Sequence, residues 1–190
     1  MMEIYWRVLV SLPKVLWWKI KYAKNCSMHW IQAFGHHTEL KIKNGKASFG
    51  KEQITRGCAV FRVEGGELAI GDKCFFNQNV SITCKKKIVI GDRCQIANNV
   101  VIVDHDHAGS ENWGSYVETP VVIGNDVWIG AGAVILRGTT IRDKAVIGAG
   151  SIVTKDIPAN VVAVGNPCRV LREINDHDKE YYYKNRKIEL

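Results

Sequence analysis

The chain has 190 residues, 46% of them hydrophobic and 24% charged, with a formal net charge of +7. That length supports one domain with a sizeable core, and the composition excludes a disordered or low-complexity chain. The basic excess favours anionic partners, but the longest basic run is only Lys85-Lys86-Lys87, so no nucleic-acid-binding module is expected.

The first predicted element is an N-terminal helical segment, residues 1–37, with a helix over 3–24 and a bend point at Pro13. Tyr5, Trp6, Leu9, Leu12, Leu16, Trp17 and Ile20 form an apolar stripe, with Lys14, Lys19, Lys21 and Lys24 as a basic remainder. Glu3, Arg7, Lys14 and Lys19 interrupt the segment too often for a spanning helix, and no small-residue cleavage site marks a signal peptide. We expect Tyr5, Leu9, Leu12 and Leu16 to pack against the following coils or another subunit. The competing reading is an interfacial helix on an anionic membrane, which puts an otherwise cytoplasmic protein at the inner membrane face.

Residues 38–174 form the second unit. Its first part, 38–69, reads as irregular coils, with turns at Gly45, Gly50, Gly57, Gly65 and Gly66. From residue 70 a six-residue period takes over. Ile70, Phe76 and Ile82 are followed by Ile90, Ile96 and Ile102, and then by Ile123, Ile129, Ile135, Ile141, Ile147 and Val153. Six is not a helical repeat near 3.6. A fixed short period means stacked units, each too small to bury its own apolar face. Three short strands per coil, with Gly and Asn at the corners, make an all-β solenoid. Cys74 and Cys94 fall in a column of small residues, so they read as packed, reduced thiols, and Cys58 is grouped with them. No cysteine pair has metal-ligand spacing.

The period slips after Ile82, at Lys85–Lys87, and after Ile102, where the inserted loop 103–122 begins. That loop contains Asp104-His105-Asp106-His107, then Trp113 and Tyr116. An imidazole positioned beside an alcohol can take its proton as it attacks. The same run also holds potential metal ligands, although neighbours in one strand point to opposite faces and cannot all converge. A closing strand ends the solenoid near 174, and the tail 175–190, with Tyr181, Tyr182 and Tyr183, reads as a short surface helix.

Three stretches carry a resemblance: Ile123-Gly-Asn-Asp-Val-Trp-Ile-Gly-Ala-Gly-Ala-Val-Ile135, Ile147-Gly-Ala-Gly-Ser-Ile-Val-Thr-Lys-Asp-Ile-Pro158 and Gly165-Asn-Pro-Cys-Arg-Val-Leu-Arg172. Together they resemble the hexapeptide-repeat acyltransferases, in the branch of galactoside and maltose acetyltransferases and surface-polysaccharide O-acetyltransferases. The resemblance implies a left-handed parallel β-helix, a homotrimer, and acetyl-CoA bound between adjacent solenoids as acyl donor to a carbohydrate hydroxyl. It implies a catalytic histidine five residues past the repeat position, which from Ile102 is His107. The family's proline after that histidine is replaced by Ala108.

The same resemblance assigns Asn79 to the acceptor, with a left-handed corner as the alternative. In an extended segment His105 faces the same side as His107, so His105 and Asp104 are grouped with Asn79 at the acceptor; the alternatives are that His105 supports Asp104 and that Asp104 or a main-chain carbonyl fixes the imidazole tautomer. Trp128, Ala131, Ala149 and Thr154 become cofactor-lining positions, with the Ala131 N–H facing the thioester oxygen. Lys155, Arg169 and Arg172 become the phosphate-side group. No metal is implied. Other readings are an N-acetyltransferase on an amino sugar and a non-enzymatic trimeric scaffold. Serine acetyltransferase is disfavoured because a large helical N-terminal domain is lacking. A γ-class carbonic anhydrase needs three converging histidines.

Overall fold

A chain whose apolar residues return every six positions must turn often to bury them, and it does so here by winding. The computed structural model describes residues 2–109 and 114–180. Trp113 and Tyr181–Tyr183 lie outside the described residues. Parallel strands stack into three sheets that form the faces of a prism. Face one runs from Cys26–Met28 through Lys87–Ile90 to Thr140–Ile141. Face two begins at Gln32–Ala33 and ends with Val161–Val164 and the antiparallel strand Arg169–Glu173. Face three runs from Thr38–Lys43 to Ile152–Val153.

The sequence period becomes three ladders of inward side chains. Face one stacks Phe49, Ile70, Ile90, Ile123 and Ile141. Face two stacks Thr55, Phe76, Ile96, Ile129 and Ile147. Face three stacks Leu40, Phe61, Ile82, Ile102, Ile135 and Val153. Almost all of these side chains are fully buried. Each such side chain contributes about 1.5–3 kcal/mol by leaving water. The corner between faces one and two carries its own ladder. The side chains of Asp72, Asp92, Asn125 and Asp143 each accept the backbone N–H of the coil before, at 2.8–2.9 Å.

Residues 38–69 are not irregular. They form full coils with six-residue strands on face three, Thr38–Lys43 and Ala59–Glu64, in continuous register with each other. The longer strands stretch the period past six, which is why the repeat is hidden there. The solenoid also begins earlier than position 38, since Cys26–Met28 and Gln32–Ala33 already pair with the next coil. The slip after Ile82 is likewise no protruding insertion. Val80–Cys84 is a five-residue strand, and Lys85-Lys86 turns an ordinary corner.

Helix α1 (Met2–Lys21) runs continuously through Pro13 and closes the N-terminal end of the prism. It packs through Ser11, Val15 and Trp18. Trp18 starts an aromatic stack that continues through Phe34, Phe49, Phe61 and Phe76, with ring centroids 5.2–6.0 Å apart. Arg7 donates to the Thr55 carbonyl, and the Lys14 ammonium donates to the carbonyls of Gly35 and His36. The expected packing stripe is therefore corrected: Tyr5, Leu9 and Leu16 face outward. Polar Ser11 and Lys14 sit on the docked side because carbonyls of the first coil await donors there.

Cys74 and Cys94 are buried as expected, each thiol 3.0 Å from a glycine carbonyl of the next coil. Cys58 departs from that group. Ala59 holds the inward column position beside Val80, and Cys58 is only half-buried at the corner. Burial, with the Asp104 carboxylate nearby, pushes the Cys84 thiol up to about 12. We expect Cys84 to resist thiol reagents at mildly alkaline pH in the folded protein and to react once it is unfolded. Mass mapping of labelled peptides with and without denaturant checks this, and native labelling at Cys84 would contradict it.

Candidate active site

The inserted segment leaves the prism after Val101–Val103 as a β-hairpin. His105–His107 pairs antiparallel with Tyr116–Glu118, putting His105 opposite Glu118 and His107 opposite Tyr116. Elsewhere, backbone N–H groups of one coil donate to carbonyls of the next, as Gly91 does to Ile123. Where the hairpin departs, that supply of carbonyls ends under residues 85–87. The buried Asp104 carboxylate replaces it, accepting from the N–H groups of Lys85, Lys86 and Lys87 at 2.8, 2.7 and 2.8 Å. The Asp104 carbonyl accepts from Thr119 N at 2.9 Å and closes the hairpin's base.

This differs from the acceptor-contacting place expected for Asp104: its side chain is buried and engaged by the backbone. Its one imidazole partner is His105, whose Nδ1 lies 3.1 Å from Oδ1. An ionised carboxylate can only accept, so that nitrogen carries the proton. His107, the expected base, is more exposed and stands on the outer end of the same strand. Tyr116 packs on both rings, 5.4 Å from His105 and 4.9 Å from His107 between centroids. The Lys85 ammonium sits 3.8 Å from the centre of the Tyr116 ring and 3.1 Å from Glu64. That contact holds Glu64 below the usual carboxylate range. Arg137 pairs with Asp106 and reaches Thr119 at 3.4 Å, tying the hairpin to the next coil.

Tyr116, Lys85 and Arg137 are the residues that sequence reading did not assign. Lys85 precedes the hairpin by about one coil and Arg137 follows by another, so only the register of the stack brings them here. Among the described residues no group of three His, Cys, Asp or Glu side chains is placed to hold a metal.

A second group of expected residues gathers at the corner between faces two and three. Backbone bonds stack Gln78 on Asn99, Asn98 on Gly132 and Ala131 on Gly150. Asn79, Asn99, Gly132 and Gly150 all take positive φ there, so Asn79 is a left-handed corner residue, and it donates to the Asn99 side chain at 3.1 Å. Ala131 and Ala149 leave this corner open, exposed and nearly free of side chains. Trp128 lies on the outer surface of face two, beside a small apolar cluster of Val146, Val162 and Ile174. The closing strand thus provides part of the cover that so large an outward aromatic requires.

The phosphate-side residues divide. Thr154 and Lys155 are exposed at the corner after face three, the edge that carries the hairpin. Arg169 is exposed on the closing strand, its guanidinium on the Cys168 carbonyl at 2.7 Å. The turn before it is held to the last coil, Ile152 N donating to Gly165 O and Cys168 N to Ile152 O. Arg172 is engaged by Asp178 of the short helix α2 (Asp176–Lys179), with one contact at 2.9 Å. That pairing holds Asp178 at about 2. A depressed carboxyl contributes stability that is present above its unfolded value near ~4 and lost as pH falls through the folded one. We expect the Arg172–Asp178 link to persist at pH 5 and to open toward pH 2, and Arg172→Ala to raise Asp178 toward the ordinary range, with the Asn175 N–H still holding it down in part. Carboxyl NMR titration reads both, and an unmoved Asp178 in the variant would refute the pairing.

A single chain therefore does not bring all the expected residues together. The hairpin, Thr154 and Lys155 lie on one edge, and Asn79, Ala131 and Ala149 on another, with Trp128 and Arg169 on the adjoining face two. A short strand of face three, at ~3.3 Å per residue, separates the two edges.

Parallel coils on a six-residue repeat, with one histidine-bearing hairpin interrupting the stack, define a hexapeptide-repeat solenoid. A family model described as "Hexapeptide repeat of succinyl-transferase" matches residues 68–103 and 120–155. The chain is 50% identical over 128 residues to a galactoside O-acetyltransferase of Escherichia coli K12, covering 66% of this chain and 63% of that protein. Among solved structures it resembles a galactoside acetyltransferase in complex with coenzyme A (TM-score 0.57, 50% identity, 64% of this chain and 62% of that one). It also resembles a maltose O-acetyltransferase from Clostridium difficile 630 (TM-score 0.60, 40% identity, 68% and 70%). The chain belongs to the hexapeptide-repeat transferase family. It spans about 63% of the length of the E. coli relative.

Proposed function

We propose that this protein transfers acetyl from acetyl-CoA to a hydroxyl of a sugar or polysaccharide precursor, with His107 as general base. The observation that carries the reading is the 50% identity to a galactoside acetyltransferase whose structure holds coenzyme A. The local geometry agrees with it: an exposed imidazole on a braced hairpin is what deprotonation of an incoming alcohol requires. His107 takes the hydroxyl proton as the oxygen attacks the thioester carbonyl. The tetrahedral oxyanion faces the Ala131 N–H. Its collapse breaks the carbon–sulfur bond, and the departing thiolate recovers the proton from the imidazolium. No covalent acyl-enzyme forms.

The division of the expected residues between two edges favours a site shared between copies, and the family resemblance makes that assembly a cyclic homotrimer. In it the hairpin edge of one copy faces the Ala131–Ala149 corner and Trp128 of the next, with Lys155 and Arg169 toward the coenzyme A phosphates. Asn79 and His105 then lie toward the acceptor.

Incubation with labelled acetyl-CoA and a panel of sugars, amino sugars and lipid-linked glycans tests the reaction. We expect an acetyl ester on a carbohydrate hydroxyl. Acetylation of an amino group alone would replace O- by N-transfer, and a protein that fails to bind coenzyme A would be a scaffold. Light scattering tests the assembly: a monomer at micromolar concentration rules out a shared site.

A further inference from the structure

Helix α1 docks on the solenoid by one side only. At 3.6 residues per turn, Tyr5, Trp6, Leu9, Leu16, Trp17 and Ile20 share an arc of roughly 120° opposite Val15 and Trp18. All six are exposed, between 47% and 66%. An exposed patch of this size, made of three aromatic and three aliphatic side chains on one helix, calls for a covering surface.

The surrounding charge identifies that surface. From Ile4 to Thr38 the chain has Arg7, Lys14, Lys19, Lys21 and Lys24 and no acidic residue. Arg7 and Lys14 seat the helix on carbonyls of the first two coils. Lys19 and Lys21 border the apolar arc and Lys24 follows in the turn just past the helix end, with the Lys19 ammonium 4.6 Å from the ring of the exposed Trp30. A cleft between the helix and the first coils is lined by Trp6, Arg7, Val10, Phe34, His36 and His37. A second copy meeting this face across a two-fold axis would bring lysines against lysines. An anionic bilayer complements both features: indoles settle at the headgroup level, aliphatic side chains enter the acyl boundary, and lysines meet lipid phosphates. No helix among the described residues is long and apolar enough to cross a membrane.

We propose that the outer face of α1 binds the surface of an anionic lipid bilayer and holds the solenoid end-on against it. In a cyclic assembly all copies present this end to the same side, so their weak contacts act together.

Vesicle flotation of the full chain at low salt tests this. The protein should float with vesicles of phosphatidylcholine plus phosphatidylglycerol. With phosphatidylcholine alone the bound fraction should fall by at least about tenfold, as loss of two or more lysine–lipid contacts implies. Leu9→Gln with Ile20→Gln should abolish flotation while keeping the circular dichroism spectrum and coenzyme A binding. Lys21→Gln with Lys24→Gln should reduce it and weaken its salt dependence. Protein that stays soluble with anionic vesicles overturns the proposal, as does flotation unchanged in Leu9→Gln/Ile20→Gln. A fall in molar mass of that variant, without vesicle binding by the parent, assigns the face to a second copy instead. Coenzyme A binding is read separately in each arm, so failure here leaves the acetyl-transfer reading standing.

Discussion

His107→Ala is expected to lower acetyl-transfer turnover by at least about a hundredfold, within the usual range for loss of a general base. Coenzyme A affinity should hardly change, because its phosphates are assigned to Lys155 and Arg169 and not to the imidazole. Stability should also hold, since His107 is exposed and contributes mainly its contact with Tyr116. His105→Ala should behave differently. Its imidazole is largely enclosed and leans on Asp104 at 3.1 Å, so its removal should loosen the hairpin and raise KM for the acceptor more than it lowers turnover. Steady-state kinetics with calorimetric coenzyme A titration separate the two. Near-normal turnover in His107→Ala would remove that residue from the base's role.

Asp104→Ala should be the most damaging substitution for stability near the site. It leaves three part-buried backbone N–H groups at residues 85–87 without their acceptor, beside the buried site the carboxylate fills. Each orphaned donor costs about 1–3 kcal/mol, so a total of about 3–5 kcal/mol is expected if the corner relaxes partly. Against a typical domain stability of about 5–15 kcal/mol that is a large share. Asp104→Asn should be less severe, since one oxygen remains to accept, but its amide nitrogen would face other donors. Urea unfolding of the two variants beside the parent measures the difference. A loss below about 1 kcal/mol in Asp104→Ala would mean that water reaches those amides after all.

The sequence made the solenoid legible where the period was strict. Ile123, Ile129 and Ile135 announced one coil, and the structure stacks each on its counterpart. The first coils were obscured because extra residues in the face-three strands break the count while keeping the register. The helix was visible, but its docked side was not. Hydrophobicity selects Tyr5, Leu9 and Leu16, whereas the open carbonyls of the first two coils select Lys14 and Arg7 and leave room for Val15 and Trp18. At the site, His107 was legible by its distance from Ile102. Asp104 was misplaced because its neighbour in sequence is polar loop, while its partners in space come from the preceding coil. Arg172 is expected at the coenzyme A phosphates, but its guanidinium pairs with Asp178 of α2, a partner that only the folded closing strand brings near.

The hairpin has a consequence for how this scaffold can diversify. Ordinary coils pair residues about 20 apart, as Asp72 with Asp92, and across the hairpin the separation grows only to 33, from Asp92 to Asn125. Closing the longer loop costs roughly 0.4 kcal/mol more chain entropy, because the cost rises only with the logarithm of length. Folding can therefore proceed coil by coil past the interruption with little added delay. The base of the hairpin is sealed by Asp104 and Thr119 independently of what lies at its tip. A lineage, or an engineer, can retune what the hairpin recognises without reworking the stack beneath it.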